Sequence, residues 1–291
     1  MAVRAGRPQS MRVIAHRGAS EEVAEHTLAA YKQALMDGAD GLECDVRLTA
    51  DGVLVCVHDR KIDRTSNGRG LVSTLELAEL RQLDFGSWKD TWADFEDPEE
   101  PDLDRAAVLT LDRLLELVVD AEHKPELLIE TKHPTRYAGL VERRLVQTLD
   151  RFGLAHPRLG SQTPIKVMSF SQLSLRRMRQ LAPSVRTVLL MQRVPVRFRD
   201  GSLPKGVDTA GPSIEILRAH PRYVERVHSN GHSVHVWTVN RRSDIDLCAG
   251  VGVEAIITDR PARARTRIGE LTHDPDAAAG QNRPAVDRLE G

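Results

Sequence analysis

The sequence predicts an α/β fold in which parallel strands alternate with outer helices, and the evidence is the size of the chain and the order of its elements. The 291 residues exceed an average domain, yet a (β/α)8 barrel of about 250 residues folds as one unit. A hydrophobic fraction of 41% is enough for a large core. Short β-branched runs alternate with stretches of helical periodicity, as expected for a parallel sheet covered by helices.

Strand-like and helix-like segments follow one another along most of the chain. Nine have the length and composition of strands: residues 12–16, 41–47, 53–58, 127–131, 165–169, 186–191, 207–210, 233–239 and 255–258. Seven have helical periodicity: residues 27–37, 111–121, 137–152, 172–182, 214–230, 243–250 and 261–271. The strands therefore number one more than a closed eight-stranded barrel needs.

A β-hairpin at the second strand explains the ninth strand. Residues 48–52 are too few for a parallel crossover, which needs about a dozen, so the second and third strands must pair antiparallel. A turn on residues 49–52 places Glu43 opposite His58, and a turn one residue later places Asp45 opposite His58. In both registers His58 lies beside the two carboxylates on one face of the sheet.

Carboxylates cluster on two neighbouring strands. Glu43 and Asp45 are two residues apart in an apolar strand, so they point to one face about 7 Å apart and can converge on a single cation. Such a strand does not bury two acids without a partner. Glu130 ends the next strand and supplies a third oxygen donor, followed by Lys132 on the same face. In a barrel these strand ends form the catalytic face.

Two histidines flank this cluster in sequence. His16 precedes Arg17 and Gly18, and His58 precedes Asp59. Together with the carboxylates, they indicate metal-assisted chemistry on a phosphate. One alternative is that Glu43 and Asp45 pair with Arg17 and Lys132 in a closed salt-bridge network. Five other histidines show no partner pattern, and we interpret them as unremarkable: His133, His156, His228, His232 and His235.

Composition limits the possible partners and location. The net charge is −1 and basic residues are mixed with acidic ones, so no basic face for nucleic acid is expected and the substrate should be a small molecule. No stretch approaches the roughly 18 apolar residues of a membrane span, and the first ten residues lack an apolar signal region, which predicts a cytoplasmic protein.

The three cysteines fit neither a disulfide framework nor a thiolate metal site. In the predicted hairpin Cys44 and Cys56 point to opposite faces, which argues against a bond between them. We interpret all three cysteines as small buried hydrophobic residues.

An insertion and two terminal segments stand apart from the barrel, which we assign to residues 12–271. Residues 59–107 contain a basic turn-rich stretch, a short helix pattern and an acidic end. Four of the chain's eleven aromatic residues lie there: Phe85, Trp88, Trp92 and Phe95. Such an insertion is either functional or a small satellite core. Residues 1–11 form an N-terminal extension, and residues 272–291 have the composition of a disordered tail.

Eight motifs together resemble the ordered motif series of the glycerophosphodiester phosphodiesterase family. They are His16-Arg17-Gly18, Glu25-His26-Thr27, Glu43-Cys44-Asp45-Val46, His58-Asp59, Glu130-Thr131-Lys132, Ser169-Phe170, Trp237-Thr238-Val239-Asn240 and Thr258-Asp259-Arg260-Pro261. The match runs from about residue 12 to residue 262. The resemblance implies a TIM-type (β/α)8 barrel that hydrolyses glycerophosphodiesters to glycerol 3-phosphate and an alcohol.

By this resemblance Glu43, Asp45 and Glu130 bind one divalent cation. An all-carboxylate, oxygen-only set is hard, and this chemistry selects Mg²⁺ or Ca²⁺ over Zn²⁺. One departure is visible: where the family commonly has Pro-Glu-Asn-Thr, this chain has Ala24-Glu25-His26-Thr27. His26 either supplies a hydrogen bond like that of the asparagine or caps the first helix, and we assign it no catalytic role.

The resemblance also implies that His16 and His58 act as general acid and base, in an order left open. Arg17 and Lys132 hold the phosphate, whose negative charge repels a nucleophile unless it is neutralised. Trp237 is either barrel core or a wall for the glycerol moiety.

Two rival functions remain at this stage. A lysophospholipase D-like enzyme acting on intact lipid needs an apolar rim, which only the aromatic cluster between Phe85 and Phe95 provides. A catalytically inactive barrel that binds glycerophosphodiesters has no use for a general acid, so the complete His, Glu and Asp set argues against it.

Overall fold

Eight parallel strands close into a barrel, and a ninth strand pairs with it from outside. The computed structural model describes residues 11–89, 102–133, 139–158 and 161–273. The strands are β1 (Arg12–His16), β2 (Gly41–Leu48), β3 (Leu54–Cys56), β4 (Glu126–Thr131), β5 (Ile165–Ser169), β6 (Arg186–Met191), β7 (Thr209–Pro212), β8 (Ser233–Val236) and β9 (Ala255–Thr258). Their order is β1-β9-β8-β7-β6-β5-β4-β2-β3, and pairing of β1 with β2 closes the ring. The TIM-type (β/α)8 barrel predicted from the sequence is confirmed.

Helices follow the strands around the outside of the ring. They are α1 (Leu28–Met36), α2 (Leu77–Leu80), α3 (Leu103–Ala106), α4 (Leu111–Asp120), α5 (Leu140–Arg151), α6 (Gln172–Leu181), α7 (Ile214–Ala219), α8 (Tyr223–Ser229), α9 (Arg242–Val251) and α10 (Pro261–His273). The side chains of Thr27, Thr110 and Ser171 each accept a hydrogen bond from the backbone N–H three residues on, which fixes the start of α1, α4 and α6. No helix within the described ranges is long and apolar enough to cross a membrane.

Buried apolar side chains lie in three places. Inside the ring, Ile14, Leu128, Val188 and Ile257 belong to one cluster at 0–1% exposure, so the barrel is packed rather than open. Two larger clusters fill the space between the strands and the helices. A fourth, under the insertion, comprises Val55, Val57, Ile62, Val72, Leu80, Phe85 and Val108. Of the aromatic residues singled out in the insertion, Phe85 is therefore buried, whereas Trp92 and Phe95 lie outside the described residues.

The hairpin is present, but its predicted register is wrong. Val46 lies opposite Cys56, midway between the two registers expected from the sequence. The cause is the length of the loop between the two strands. It has three residues, of which Gly52 at φ +81° is the last, whereas the two expected registers require a two-residue or a four-residue turn. His58 is therefore not the cross-strand partner of either carboxylate, and β3 ends before it, at Cys56.

The same register overturns the prediction for the cysteines. Cys44 and Cys56 lie on one face, in the core between the barrel and the helices, and both thiols are free. They remain small buried side chains, as expected.

The predicted helix over residues 214–230 is also wrong as a single element. It is divided into α7 and α8, and Pro221 lies between them. Proline lacks the backbone N–H that a continuous helix needs and clashes with the preceding turn. The predicted start of another helix at residue 137 lies outside the described residues, and α5 begins at Leu140.

A buried polar cluster lies at the amino-terminal end of the barrel. Glu126 accepts from Arg12 at 2.6 Å and pairs with Lys166 at 2.7 Å. The Nε2 of His235 lies 3.3 Å from Arg12 Nη2 and 3.5 Å from Lys166 Nζ. Because both neighbours can only donate, Nε2 accepts and the ring is neutral, with its proton on Nδ1. The interpretation of His235 as a residue without partners was wrong.

His235 makes stability sensitive to acid. Burial, followed by the charges of Lys166 and Arg12, lowers the pKa of His235 well below its ordinary value in the folded chain. Below about pH 6.5 the unfolded chain binds a proton there that the folded chain does not. The free energy of unfolding should therefore decrease as the pH is lowered. This residue contributes a slope of at most about 1.4 kcal/mol per pH unit.

Urea denaturation between about pH 7 and about pH 5 measures this slope. The variant His235→Gln keeps an acceptor for Arg12 and Lys166 but cannot be protonated, so its slope should be smaller than that of the wild type. His123→Gln, at an exposed position, should keep the wild-type slope. Equal slopes in both variants would refute the role of His235.

Candidate active site

Three carboxylates converge at the carboxyl-terminal end of the barrel. Glu43 and Asp45 project from β2, and Asp45 lies opposite Glu130 of β4 in the parallel register. One oxygen from each lies within 4.8 Å of the others, and all three side chains are buried. The structure thus brings together the three residues that the sequence predicted as a cation site.

Two basic side chains pair with this cluster. Lys132 Nζ lies 3.0 Å from Asp45 Oδ1 and 2.9 Å from Glu130 Oε1. Arg17 Nε lies 3.0 Å from Asp45 Oδ2. The pairing considered as an alternative to cation binding is therefore present. The salt-bridge network is not closed, because neither Arg17 nor Lys132 forms an ion pair with the Glu43 side chain. Among the described residues, the ion-pair partner of Glu43 is His16, whose Nε2 lies 3.9 Å away.

Two of the three carboxyl groups lie in surroundings that disfavour their charged form. Burial, followed by the charge of Asp45, raises the pKa of Glu43 well above its ordinary value. The same two causes raise the pKa of Glu130 to about 7. Burial also opposes ionisation of Asp45, but Lys132, His26 and Arg17 together lower its pKa. Buried carboxyl groups with raised pKa values and converging oxygens fit a hard divalent cation, which would restore charge balance.

His16 is oriented by a carboxylate from the far end of the chain. Its Nδ1 donates to Asp259 Oδ1 at 2.6 Å, since a carboxylate only accepts, and the two residues are 243 positions apart. Asp259 also accepts from Ser20 and Asn240. Burial opposes its charge, but the bond from His16 and the other donors lower the pKa of Asp259. In the sequence, Asp259 stood out as part of a motif but was assigned no role.

His58 has the same arrangement with its neighbour in sequence. Its Nδ1 donates to Asp59 Oδ1 at 2.7 Å, which leaves Nε2 for a second partner. The backbone carbonyl of His58 accepts from the Arg47 guanidinium at 2.6 and 3.0 Å. Burial, with the positive charges of Arg17 and Lys132, lowers the pKa of His58 to about 4 despite the attraction of Asp45.

His26 hydrogen-bonds to the cluster and does not cap the helix. Its Nε2 donates to Asp45 Oδ2 at 3.0 Å, and its Nδ1 lies 2.8 Å from the Tyr31 hydroxyl. The helix cap is Thr27. At φ +61° His26 occupies the left-handed region, where Asn and His are both enriched, which explains how His replaces the Asn of the family pattern.

A pocket of about 230 Å³ opens beside these groups. His16, Arg17, Glu43, His58, Glu130 and Lys132 line one side of it. The other side is mainly apolar, with Met168, Phe170, Leu190, Trp237 and Ile257. Trp237 donates to the Gly211 carbonyl at 2.7 Å and meets Phe170 edge-on at 5.5 Å between ring centroids. Trp237 packs against the barrel interior and also lines the pocket, and its contact with a glycerol moiety stays a prediction.

The barrel and a polar site of carboxylates, histidines and basic residues at its carboxyl end are typical of a phosphodiester hydrolase. A family model described as the glycerophosphoryl diester phosphodiesterase family matches residues 16–263. The chain belongs to this family, as the motif series predicted. It is therefore an enzyme of a hydrolytic family.

Curated relatives and solved structures agree with the family. The chain is 47% identical over 253 residues to the probable glycerophosphodiester phosphodiesterase 1 of Mycobacterium tuberculosis, covering 87% of this chain and 90% of that protein. It is 33% identical over 261 residues to the glycerophosphodiester phosphodiesterase of Bacillus subtilis, covering 87% and 85%. An Oleispira antarctica phosphodiesterase, solved with the product sn-glycerol-3-phosphate, is similar with a TM-score of 0.74 and 25% identity, covering 89% and 96%.

Gly18 is required by the close approach of α1 to the loop that carries Arg17. It has φ +86°, and a Cβ there would lie 2.6 Å from the Ala30 carbonyl carbon. Gly18→Ala should lower the free energy of unfolding by about 2–5 kcal/mol, the sum of left-handed strain and overpacking. Chemical denaturation measures this loss.

A matched control separates the two contributions. Gly231 has φ +76°, and no atom of the described residues lies within 4 Å of the position that a Cβ would take. Gly231→Ala should therefore lose only about 1–2 kcal/mol of backbone strain. If both variants lose the same stability, the contact with α1 does not require the glycine.

Proposed function

We propose that this enzyme hydrolyses glycerophosphodiesters to glycerol 3-phosphate and an alcohol, with one divalent cation and two histidines. The observation that carries the proposal is the cluster of three buried carboxylates beside two imidazoles, each held at Nδ1 by an aspartate. The names of the relatives support the substrate class, and the glycerol 3-phosphate bound to the Oleispira enzyme supports the product.

Glu43, Asp45 and Glu130 would hold the cation, which we propose to be Mg²⁺ or Ca²⁺. The donor set contains oxygen only, and no thiol or imidazole of the described residues belongs to it, which disfavours Zn²⁺. The cation supplies Lewis-acid stabilisation of the charge that develops on the phosphate oxygens. A cation there would favour the ionised form of all three carboxyl groups.

Arg17 and Lys132 would bind the phosphate. Both line the pocket beside the carboxylates, and their side chains bring positive charge to the place where a diester must be neutralised before attack. The glycerol moiety would lie against the apolar side of the pocket, on Trp237 and Phe170.

His58 would act as the general base. Its lowered pKa keeps it neutral at neutral pH, and its Nδ1 proton is held by Asp59, so Nε2 can take a proton from the attacking oxygen. A bond then forms between that oxygen and phosphorus, and the bond from phosphorus to the alcohol oxygen breaks. The attacking oxygen belongs either to water or to a glycerol hydroxyl, and in the second case water then opens the resulting cyclic phosphate to glycerol 3-phosphate.

His16 would act as the general acid. Its Nδ1 is held by Asp259 at 2.6 Å, and its Nε2 lies 3.9 Å from Glu43 Oε2. The departing alkoxide would take the proton from Nε2, the nitrogen not bonded to Asp259. Two imidazoles in different electrostatic surroundings thereby take opposite roles.

The barrel with its insertion would carry the whole reaction on water-soluble substrates. The rival enzyme on intact lipid needs exposed aromatic residues in the insertion. There Phe85 is 6% exposed and Trp88 is 38% exposed, whereas Trp92 and Phe95 lie outside the described residues, so binding to liposomes is the measurement that distinguishes the two functions. The inactive binding barrel is disfavoured by the two complete histidine–aspartate pairs.

Chelation and ligand substitution test the cation. Release of glycerol 3-phosphate from glycerophosphocholine should stop in EDTA and return with Mg²⁺ or Ca²⁺. Asp45→Asn and Glu43→Gln should each lower kcat/KM by about 100-fold or more, because a metal's charge stabilisation is worth several kcal/mol. Glu116→Gln, an exposed substitution on α4, should have no effect. Activity that persists in EDTA would refute the proposed metal dependence.

Substitution of the histidines tests the proton transfers. His16→Ala and His58→Ala should each lower kcat by about 10² to 10⁴ while the thermal unfolding temperature stays near that of the wild type. His123→Ala serves as the control, since its side chain is exposed in the turn after α4. Full activity in either variant would remove that histidine from the mechanism.

A further inference from the structure

Arg64 lies in the insertion and contacts carboxylates on two sides. Its Nε donates to Asp59 Oδ2 at 2.6 Å. Its Nη1 and Nη2 donate to the two oxygens of Glu25 at 2.8 and 2.7 Å, a two-pronged contact that fixes the plane of that carboxylate. One guanidinium therefore joins the loop after β3 to the loop after β1.

Each of these carboxylates also contacts a side chain of the proposed mechanism. Asp59 uses its other oxygen to accept from His58 Nδ1 at 2.7 Å. Glu25 accepts from Arg17 Nη1 at 3.0 Å. A continuous chain of hydrogen bonds thus runs from the proposed general base through Asp59, Arg64 and Glu25 to the proposed phosphate ligand.

The insertion holds Arg64 in place from below and from the side. Ile62, two residues before it, is fully buried in the core of the insertion. The Arg64 guanidinium carbon lies 6.0 Å from the centre of the Trp88 ring, within the range of a cation–π contact. Trp88 belongs to the aromatic cluster that the sequence singled out, so this contact gives the cluster a role next to the catalytic face.

The contribution of Arg64 is to geometry more than to stability. Its side chain is 45% exposed, and exposed ion pairs contribute little to the free energy of unfolding. A carboxylate bound on both oxygens cannot rotate freely, so Arg64 fixes Asp59 for His58 and Glu25 for Arg17. Misplacing a reacting group by about 1 Å can cost about 100-fold in rate.

We propose that Arg64 is a positioning residue through which the insertion orients both the proton-transferring His58 and the phosphate-binding Arg17. This inference rests on the proposed function for the roles of those two residues. It assigns the insertion a part in catalysis, beyond that of a satellite core.

Steady-state kinetics on glycerophosphocholine distinguish the effect of the Arg64–Asp59 contact from that of the Arg64–Glu25 contact. Arg64→Gln should lower kcat and raise KM, each by about 10-fold or more. Asp59→Asn should reproduce mainly the loss in kcat, and Glu25→Gln mainly the rise in KM. Arg64→Lys, which has one donor centre instead of a fork, should recover one of the two changes but not both.

A control and a double variant make the test specific. Arg69→Gln removes the same charge from the same insertion at an exposed residue that forms no ion pair with the described residues, and both constants should stay within about twofold of the wild type. In the double variant Arg64→Gln/Asp59→Asn, kcat should be no lower than in whichever single variant has the lower kcat. Both substitutions break the same contact between Arg64 and Asp59, so their effects should not add. An Arg64→Gln enzyme indistinguishable from the control, or multiplicative losses in the double variant, would overturn the proposal.

Nuclear magnetic resonance of histidine ring protons tests the same contact without turnover. The His58 Nδ1 proton, bonded to Asp59, should give a slowly exchanging signal in the wild type and in Arg69→Gln that broadens or disappears in Arg64→Gln. If the wild-type protein releases no glycerol 3-phosphate, the proposed function fails and this signal still decides the role of Arg64. A signal that survives in Arg64→Gln counts against the positioning role.

Discussion

The burial of three carboxylates at one end of the barrel is the constraint on which the rest of the site depends. Ionised acids in a packed interior are unstable unless charges and donors surround them. Lys132 and Arg17 pair with Asp45, and His26 donates to it from a third side. The pKa values of Glu43 and Glu130 stay raised despite these partners, so the two groups still lack positive charge of the kind that a divalent cation would supply.

His16 and His58 are oriented in the same way but lie in different electrostatic surroundings. Each donates its Nδ1 proton to an aspartate, which fixes the ring and leaves Nε2 for chemistry. Asp259 reaches His16 from the end of β9, whereas Asp59 is simply the residue after His58. The surroundings of the Nε2 atoms differ, because His16 faces Glu43 while His58 is half-buried near the positive charges of Arg17 and Lys132. In the proposed mechanism, these different surroundings would allow one ring to give a proton and the other to take one.

Much of this could be predicted from the sequence because it depends on local patterns. The strands at 12–16, 165–169, 186–191 and 255–258 were predicted at their observed bounds, since buried β-branched runs are distinctive. The carboxylate cluster followed from i, i+2 spacing at strand ends. The helix at 214–230 was predicted as one element although Pro221 was a visible signal against it.

Other features have no local signal. The hairpin register depends on a loop that is one residue longer or shorter than the two expected turns. A shift of the register by one residue changes which side chains face each other across the strands. The partners Asp259 and Arg64 are set by tertiary contacts, the first across 243 residues. Sequence spacing carries no information on such contacts, although the Asp259 motif was noted. The left-handed backbone of His26 likewise has no signal in the local sequence pattern.

The loop between β1 and α1 ties the fold to the carboxylate cluster. Arg17, Gly18 and His26 all have positive φ, and for the two residues with a side chain this conformation costs about 1–2 kcal/mol each. The loop is held by the backbone N–H of Arg17, which donates to Glu43, and by the bonds of Arg17 and His26 to Asp45. Loss of the buried acids would remove the bonds to Asp45 and so part of what offsets that strain, while the bond to the Glu43 backbone carbonyl would remain. The carboxylates therefore help to shape the loop that carries Arg17, the proposed phosphate ligand.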